Sequence, residues 1–300
     1  MRKIKAAVVG YGNIGRYVVE ALEAAPDFEI AGIVRRASSV ASAGESKYPV
    51  VSSLEQLEGV DVAILCTPSR LVEKSAAEAL KLGISTVDSY DIHSGIADTR
   101  ARLDEIARQH NAAALISAGW DPGSDSAIRA IMKIASFTGH TTTTFGGENG
   151  GRSMGHTVAV KAIEGVKDAI ALTLANGRGK QKRRVYVQLD KGADADAVAK
   201  AIQVDNYFRN EPTEVMFVKK IDKYLTLHHE ADIERTGMQV NQRYQLEGNN
   251  PELTANIMVS CARACITARE KDDFGTYTFI ERPLIDYLSG KTLDEKLEGY

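Results

Sequence analysis

Ile4-Lys5-Ala6-Ala7-Val8-Val9-Gly10-Tyr11-Gly12-Asn13-Ile14-Gly15 is the stretch that decides the fold. Its first six residues are apolar apart from Lys5, as a strand buried on both faces requires. From Asn13 onward, Ile14, Val18, Ala21, Leu22 and Ala25 recur at helical spacing until Pro26-Asp27 stops the pattern. Three glycines therefore occupy the turn from a strand into a helix. Gly10 permits the tight turn, Gly12 clears the space a pyrophosphate would enter, and Gly15 lets the helix lie close to the sheet. The helix start then presents free N–H groups to an anion. Gly10, Tyr11, Gly12, Asn13, Ile14 and Gly15 accordingly read as the phosphate-binding turn of a Rossmann-type dinucleotide domain. The plain alternative is a glycine-rich turn that serves chain geometry alone.

Residues 28–34 form the next apolar strand, and its end discriminates between cofactors. An acid there would hydrogen-bond the adenosine ribose of NAD. The sequence has Val34-Arg35-Arg36 instead, two guanidiniums able to hold a 2′-phosphate through forked, charge-assisted bonds. NADP is therefore the expected cofactor. A strand over residues 60–66 runs into Cys66-Thr67-Pro68-Ser69, where Pro68 stiffens the turn and the hydroxyls can reach phosphate or ribose. Residues 85–87 and 112–116 complete a series of short strands alternating with helical patterns, which argues for a parallel sheet with helices on its faces.

After Gly119 the texture changes. A turn at Asp121-Pro122-Gly123 leads into a helix with Ile128, Ile131, Met132 and Ala135 as its expected apolar face. Strand-like runs follow over residues 140–145, 169–174, 184–189, 214–218 and 242–246, read as a mostly antiparallel sheet. Helices are expected over 193–202 and 251–271, a polar interruption over 206–212, and a short helix near 283–288. The fold class is α/β with a second, α+β part: a dinucleotide-binding domain over residues 1–120, a substrate domain over 121–250, and a C-terminal helical segment over 251–300 that returns toward the first domain.

Composition bounds the partners. With 37 Lys and Arg against 40 Asp and Glu, the formal net charge of -3 offers no overall attraction to polyphosphate or anionic lipid. Lys180-Gln181-Lys182-Arg183-Arg184 is the longest basic patch and reads as a strand entrance, so neither a nucleic-acid nor a membrane partner is expected. Three cysteines, Cys66, Cys261 and Cys265, without a secretory segment ahead of them, suggest a reducing, cytoplasmic setting. Cys261 and Cys265 can share a helix face but lack further ligands nearby, so buried thiols are expected and no metal.

Two aspartates stand just beyond strands: Asp91 after Thr86-Val87-Asp88-Ser89-Tyr90, and Asp121 after Ser117-Ala118-Gly119-Trp120. Ligands of parallel sheets gather at such strand ends. Carboxylates there suit an ammonium substrate and can manage protons at a C–N bond being oxidised. Asp88 competes from inside its strand, and either aspartate could instead cap a turn. Trp120 is the only tryptophan and lies outside any periodic apolar run. Phe145 precedes a glycine-rich excursion over residues 146–152 that could close over a small substrate or be an ordinary loop. Arg183 and Arg184 should point to opposite faces, one into a pocket where it could bind a carboxylate, with the hydroxyl of Thr173 as a partner. His228 and His229 diverge in an extended segment and do not form a helical metal pair.

Taken together, the chain resembles the meso-diaminopimelate dehydrogenases. The resemblance spans essentially the whole length and rests on Val9-Gly-Tyr-Gly-Asn-Ile-Gly15, Arg35-Arg36, Val87-Asp-Ser-Tyr-Asp91 with His93, Ser117-Ala-Gly-Trp-Asp-Pro-Gly123, Ser153-Met-Gly-His156, Lys182-Arg183, Thr236-Gly-Met238 and Asn250-Pro-Glu-Leu-Thr-Ala255. It implies NADP-dependent, reversible oxidative deamination at the D-carbon of meso-2,6-diaminopimelate, substrate contacts at Asp91, Trp120, Asp121, Phe145, Met154, Gly155, Thr173, Arg183 and Asn250, cofactor contacts that extend to Ser89 and Tyr90, and a homodimer with its dimerisation region alongside the substrate domain. Two features depart from the family. The 146–152 excursion is longer than its usual turn, and Gln239-Val-Asn-Gln-Arg243 stands where a histidine- and glycine-rich stretch often carries a substrate-binding histidine. Arg243 could take over that contact, His229 is the fallback, and a broader D-amino-acid dehydrogenase is an alternative activity. A nucleotide-binding regulatory or structural protein is the alternative from another class.

Overall fold

The computed structural model describes residues 2–40, 45–290 and 292–297. Contacts divide the chain into two compact units, Met1–Ala127 with Pro251–Tyr300, and Ile128–Asn250. The first unit holds β1 (Ile4–Val9), α1 (Asn13–Ala24), β2 (Phe28–Val34), α2 (Ala37–Val40), β3 (Val50–Val51), β4 (Val62–Leu65), α3 (Ser69–Lys81), β5 (Ser85–Asp88), α4 (Ile96–Gln109) and β6 (Ala113–Leu115). The chain then enters α5 (Ser124–Ala135), within which the division falls.

The sheet order is β3-β2-β1-β4-β5-β6, extended beyond β6 by a strand from the far end of the chain, and every pairing is parallel. Strand order reverses between β1 and β4, the switch point at which such sheets bind dinucleotides beyond the strand carboxyl ends. The two faces carry separate cores. Val18 and Leu22 of α1 pack with Ala6, Val8 and Ile64 on one side, and Val72, Ala76 and Leu80 of α3 pack with Leu103 of α4, Ala63 and Leu65 on the other. Strands covered on both faces need near-continuous apolar sequence, which is what β1 and β4 have.

The second unit continues with β7 (His140–Phe145), β8 (Gly151–Arg152), α6 (Met154–Lys161), β9 (Val166–Ala175), β10 (Gln181–Leu189), α7 (Ala195–Val204), β11 (Thr213–Phe217), β12 (His228–Thr236) and β13 (Asn241–Asn249). The chain returns to the first unit through α8 (Asn250–Glu270), β14 (Gly275–Tyr277), which pairs with β6, and α9 (Leu293–Lys296). The region past residue 251 thus supplies a sheet strand as well as the expected helices.

The single antiparallel sheet expected in the second unit is in fact two sheets, β11-β10-β9-β8 and β13-β12-β7, and β11 runs parallel to β10. The remaining pairings are antiparallel. Two further expectations are corrected. Phe208, inside the supposed polar interruption, is fully buried with Val198 and Ile202 of α7. Ile131, placed on the apolar face of α5, is 48% exposed.

Candidate active site

The nucleotide half grows out of the β1–α1 turn. Gly10 takes a φ of +94°, and a Cβ there would lie 2.7 Å from the Cys66 carbonyl oxygen. A Cβ on Gly15 would come within 2.1 Å of the Gly10 carbonyl oxygen, whereas one on Gly12 would meet only open space. Gly12 is the N-cap of α1 and no side chain caps it, so the helix start leaves first-turn N–H groups for an anion. The Gly10 N–H donates to Val34 O at 2.9 Å, and the Cys66 N–H to Val9 O at 2.7 Å. The turn is thereby tied to the residues that precede Arg35 and to the start of the segment Cys66, Thr67, Pro68, Ser69. Arg35 lies 5.8 Å from the Tyr11 ring centre, and among the described residues neither Arg35 nor the exposed Arg36 has an ion-pair partner. An open cradle at a helix start, with the Arg35 guanidinium over the Tyr11 ring and Arg36 next in sequence, fits a phosphorylated dinucleotide. Partial burial pushes the Cys66 thiol above its ordinary value, which disfavours the thiolate.

At the ends of β5 and β6 the two aspartates are set by different means. The Ser69 hydroxyl donates to Asp91 Oδ1 at 2.6 Å and accepts from the Asp91 N–H at 3.1 Å, which locks Asp91 to the start of α3. Tyr90 turns its ring into the core formed with α3 and α4, while Ser89 stays half-buried. Trp120 is 7% exposed and Asp121 half-buried in a turn closed by the Ser124 N–H to Gly119 O at 3.1 Å and the Asp125 N–H to Trp120 O at 3.1 Å. Asp88 lies at the base of both loops. Its Oδ1 accepts from the N–H of Tyr90 at 2.9 Å and of Ser117 at 3.1 Å. Burial raises its pKa to about 7 despite these two bonds.

In the second unit, register brings several expected residues to one place. Thr173 of β9 stands opposite Arg183 of β10 and Gly151 of β8. The Arg183 guanidinium, 8% exposed, donates to the Thr173 hydroxyl and to the Glu211 carboxylate, while Arg184 turns the other way to Glu214 at 2.9 Å. A Cβ on Gly151 would sit 2.6 Å from His229 Nδ1, and the Phe145 ring meets His229 edge-on with centroids 6.3 Å apart. Asn250 joins through its Nδ2–H to Arg152 O at 3.1 Å and its N–H to Leu227 O at 2.9 Å. Met154 and Gly155 begin α6 directly after β8.

His229 and Arg243 part company here. Residues 228, 230, 232 and 234 of β12 share one sheet face with 249, 247, 245 and 243 of β13, and His229 is on the other face. Arg243 is exposed on its own face and committed to Asp232 through bonds of 2.9 and 3.0 Å. His229 is held neutral: burial, reinforced by the charges of Arg183 and His228, lowers its pKa to about 4. Its Nδ1 lies 2.9 Å from the Glu230 carbonyl, which can only accept, so Nδ1 carries the proton and Nε2 is an acceptor.

The 146–152 excursion is built rather than loose. Gly146 and Gly147 adopt φ of +91° and +53°, the Gly146 N–H donates to Glu230 O at 2.8 Å, and the segment ends in β8. His156 has a structural setting, its Nδ1 2.7 Å from the Ser153 hydroxyl and its ring edge-on to Tyr207 and Phe208. Cys261 and Cys265 are buried free thiols, and no group of metal-ligating side chains occurs among the described residues. The sequence motifs do not include Glu211, which braces Arg183 from 28 residues further along the chain. No local pattern marks that role, since the contact is made by strand pairing.

Comparison with known proteins extends the geometry. Residues 4–115 match the family described as an oxidoreductase family with an NAD-binding Rossmann fold. A meso-diaminopimelate D-dehydrogenase of Bacteroides fragilis is 50% identical over 296 residues, 97% of each chain. Among solved structures, the C. glutamicum DAP dehydrogenase in complex with DAP superposes with a TM-score of 0.88 at 28% identity, covering 100% of this chain and 99% of that one. An engineered D-amino acid dehydrogenase bound to NADP+ gives a TM-score of 0.89 at 27% identity over 99% of both chains. Among the described residues, no helix is long and apolar enough to cross a membrane.

Proposed function

The chain belongs to the meso-diaminopimelate D-dehydrogenase family, and from that premise we propose that it carries out the reversible, NADP-dependent oxidative deamination of meso-2,6-diaminopimelate at its D-centre. Substrate, NADP+ and water give L-2-amino-6-oxopimelate, NADPH, ammonium and a proton, and the product stands in equilibrium with tetrahydrodipicolinate. The observation that carries the reading is coverage. A nucleotide domain alone is common to many oxidoreductases, but here the match, 50% identical overall, extends over the second unit, where most of the proposed substrate contacts lie.

When bound, NADP+ supplies the hydride acceptor at nicotinamide C4. Gly10 to Gly15 and the start of α1 would hold its pyrophosphate, with Cys66 to Ser69, Ser89 and Tyr90 alongside and Arg35 and Arg36 on the 2′-phosphate. Asp91 and Asp121 are the acid–base and ammonium-binding pair. An anionic side chain there steadies the substrate ammonium and accepts the proton released as the C–N bond is oxidised. Trp120, Phe145, Met154 and Gly155 exclude water around the carbon chain. Arg183, braced by Thr173 and Glu211, receives a carboxylate bidentately, and Asn250 adds a neutral contact. Between the two alternatives for the missing family histidine we favour His229 over Arg243. Its unprotonated Nε2 is an acceptor and therefore suits an ammonium, complementing Arg183 at the same amino-acid end.

A homodimer agrees with the surface of the second unit. Ile134, Phe137 and Met238 are 80%, 82% and 89% exposed, and Ser136 abuts Gly237, so the end of α5 and the 237–240 turn form one apolar patch. Three free cysteines accord with a reducing, cytoplasmic setting. The activity is tested by mixing the protein with meso-diaminopimelate and NADP+. NADPH and ammonia should appear in equal amounts, far more slowly with NAD+. Equal turnover of D-alanine or D-phenylalanine would move the assignment to a broad D-amino-acid dehydrogenase, and no NADPH from any of them would refute the enzyme reading.

A further inference from the structure

Asp88 is 1% exposed at the last position of β5, a place where an apolar or hydroxyl side chain would fill the same space without the cost of burying a carboxyl group. One of its oxygens, Oδ2, has no hydrogen-bond partner among the described residues. The other accepts two main-chain N–H groups that belong to different loops, those of Tyr90 at 2.9 Å and Ser117 at 3.1 Å. The Asp88 carbonyl adds a third tie, accepting from the Ala118 N–H at 2.6 Å. Tyr90 immediately precedes Asp91, and Ser117-Ala118 lead through Gly119 into Trp120 and Asp121. Ser117 takes a φ of +59°, a conformation that a non-glycine residue keeps only when its surroundings enforce it.

From this arrangement we infer that Asp88 is a positioning residue for the reaction: one carboxylate oxygen, Oδ1, fastens the loop that carries Asp91 to the loop that carries Trp120 and Asp121, and so fixes the spacing of the two acid–base groups. The inference rests on the roles proposed above for Asp91 and Asp121. The raised pKa of about 7 is what such a buried acceptor pays in proton affinity when no cation compensates it. Stability alone would not favour a carboxyl group here, whereas an acceptor reaching two backbone amides at once is what a joint between loops requires.

The test compares Asp88→Asn, which keeps an acceptor at Oδ1, with Asp88→Ala, which removes it. Read-outs are kcat, KM for meso-diaminopimelate, affinity for NADP+, and residue-resolved hydrogen exchange of the Tyr90 and Ser117 amides. Asp88→Ala should lower kcat by about tenfold or more with NADP+ affinity within about threefold of the parent, and exchange at both amides should quicken; Asp88→Asn should restore kcat to within about threefold. A folded Asp88→Ala with parental kcat, or an Asp88→Asn as impaired as Asp88→Ala, would overturn the inference. Exchange in the unmodified protein needs neither substrate nor a variant. The two amides should be as protected as that of Leu115, and exchange as fast as that of Gly177 would equally overturn it. If the unmodified protein lacked activity while those amides were protected, the fault would lie with the proposed function and not with the joint.

Discussion

Two ionisable side chains, the buried Asp88 and the half-buried His229, are displaced in opposite senses, and each displacement predicts a pH response. Asp88 binds its proton more tightly folded than unfolded, so its contribution is full below the ordinary carboxylate value of 3.8 and is lost as pH rises toward about 7. His229 binds its proton less tightly folded, so its contribution is full above 6.5 and is lost as pH falls toward about 4. Asp88→Asn removes the first effect. Its Tm relative to the parent should therefore climb between about pH 4 and about pH 7, by an amount corresponding to at most about 4 kcal/mol; a constant difference across that range would contradict the burial argument. At the substrate, His229→Ala should raise KM for meso-diaminopimelate about tenfold, whereas Arg243→Ala, which removes an exposed ion pair worth less than about 1 kcal/mol, should leave both KM and Tm nearly unchanged. A large KM effect from Arg243→Ala alone would reverse that assignment. The sequence alone puts Arg243 first and His229 as the fallback, and the proposed order is the reverse because the sheet face each occupies depends on the register of β12 against β13.

At the scale of elements, the glycines of the β1–α1 turn predict separable outcomes. Gly15→Ala drives a methyl group into the Gly10 carbonyl, so it should cost about 2 kcal/mol or more of stability along with cofactor binding. Gly12→Ala meets nothing in the protein, so thermal unfolding should be unaltered while NADP+ affinity falls about tenfold or more. Equal stability losses for the two would contradict the packing described. The motif was legible because a strand, a turn and a helix each left their own period in adjacent residues, and β1 and β2 have the bounds that the apolar runs suggest. β12 was not, since His228-His-Glu-Ala-Asp-Ile-Glu-Arg-Thr236 carries only two apolar residues, Ala231 and Ile233, with the buried Arg235 on the same face. β8 and β14, of two and three residues, are too short to leave a period, and they exist through pairing with β9 and β6. The parallel pairing of β11 with β10 is likewise set by the path of α7 between them and not by either strand's residues. The 146–152 glycines suggested mobility, yet Gly146 is small because its Cβ would strike the Thr173 carbonyl.

For the whole molecule, the first unit is built from both ends of the chain, its sheet closed at one edge by β14 and one of its cores filled by α8. The second unit is a continuous insertion, and its apolar patch predicts assembly. Phe137→Asp combined with Met238→Asp should convert a dimer into a monomer in sedimentation velocity, and a dimer that persists would place the contact elsewhere. The proposed reaction moves hydride from the D-carbon of meso-diaminopimelate to NADP+. The most direct measurement uses meso-diaminopimelate deuterated only at that carbon. One deuterium should appear in each NADPH formed, with slower turnover than the protonated substrate where hydride transfer limits the rate. NADPH free of deuterium, formed at the usual rate, would show that the hydrogen comes from another carbon and would contradict the account.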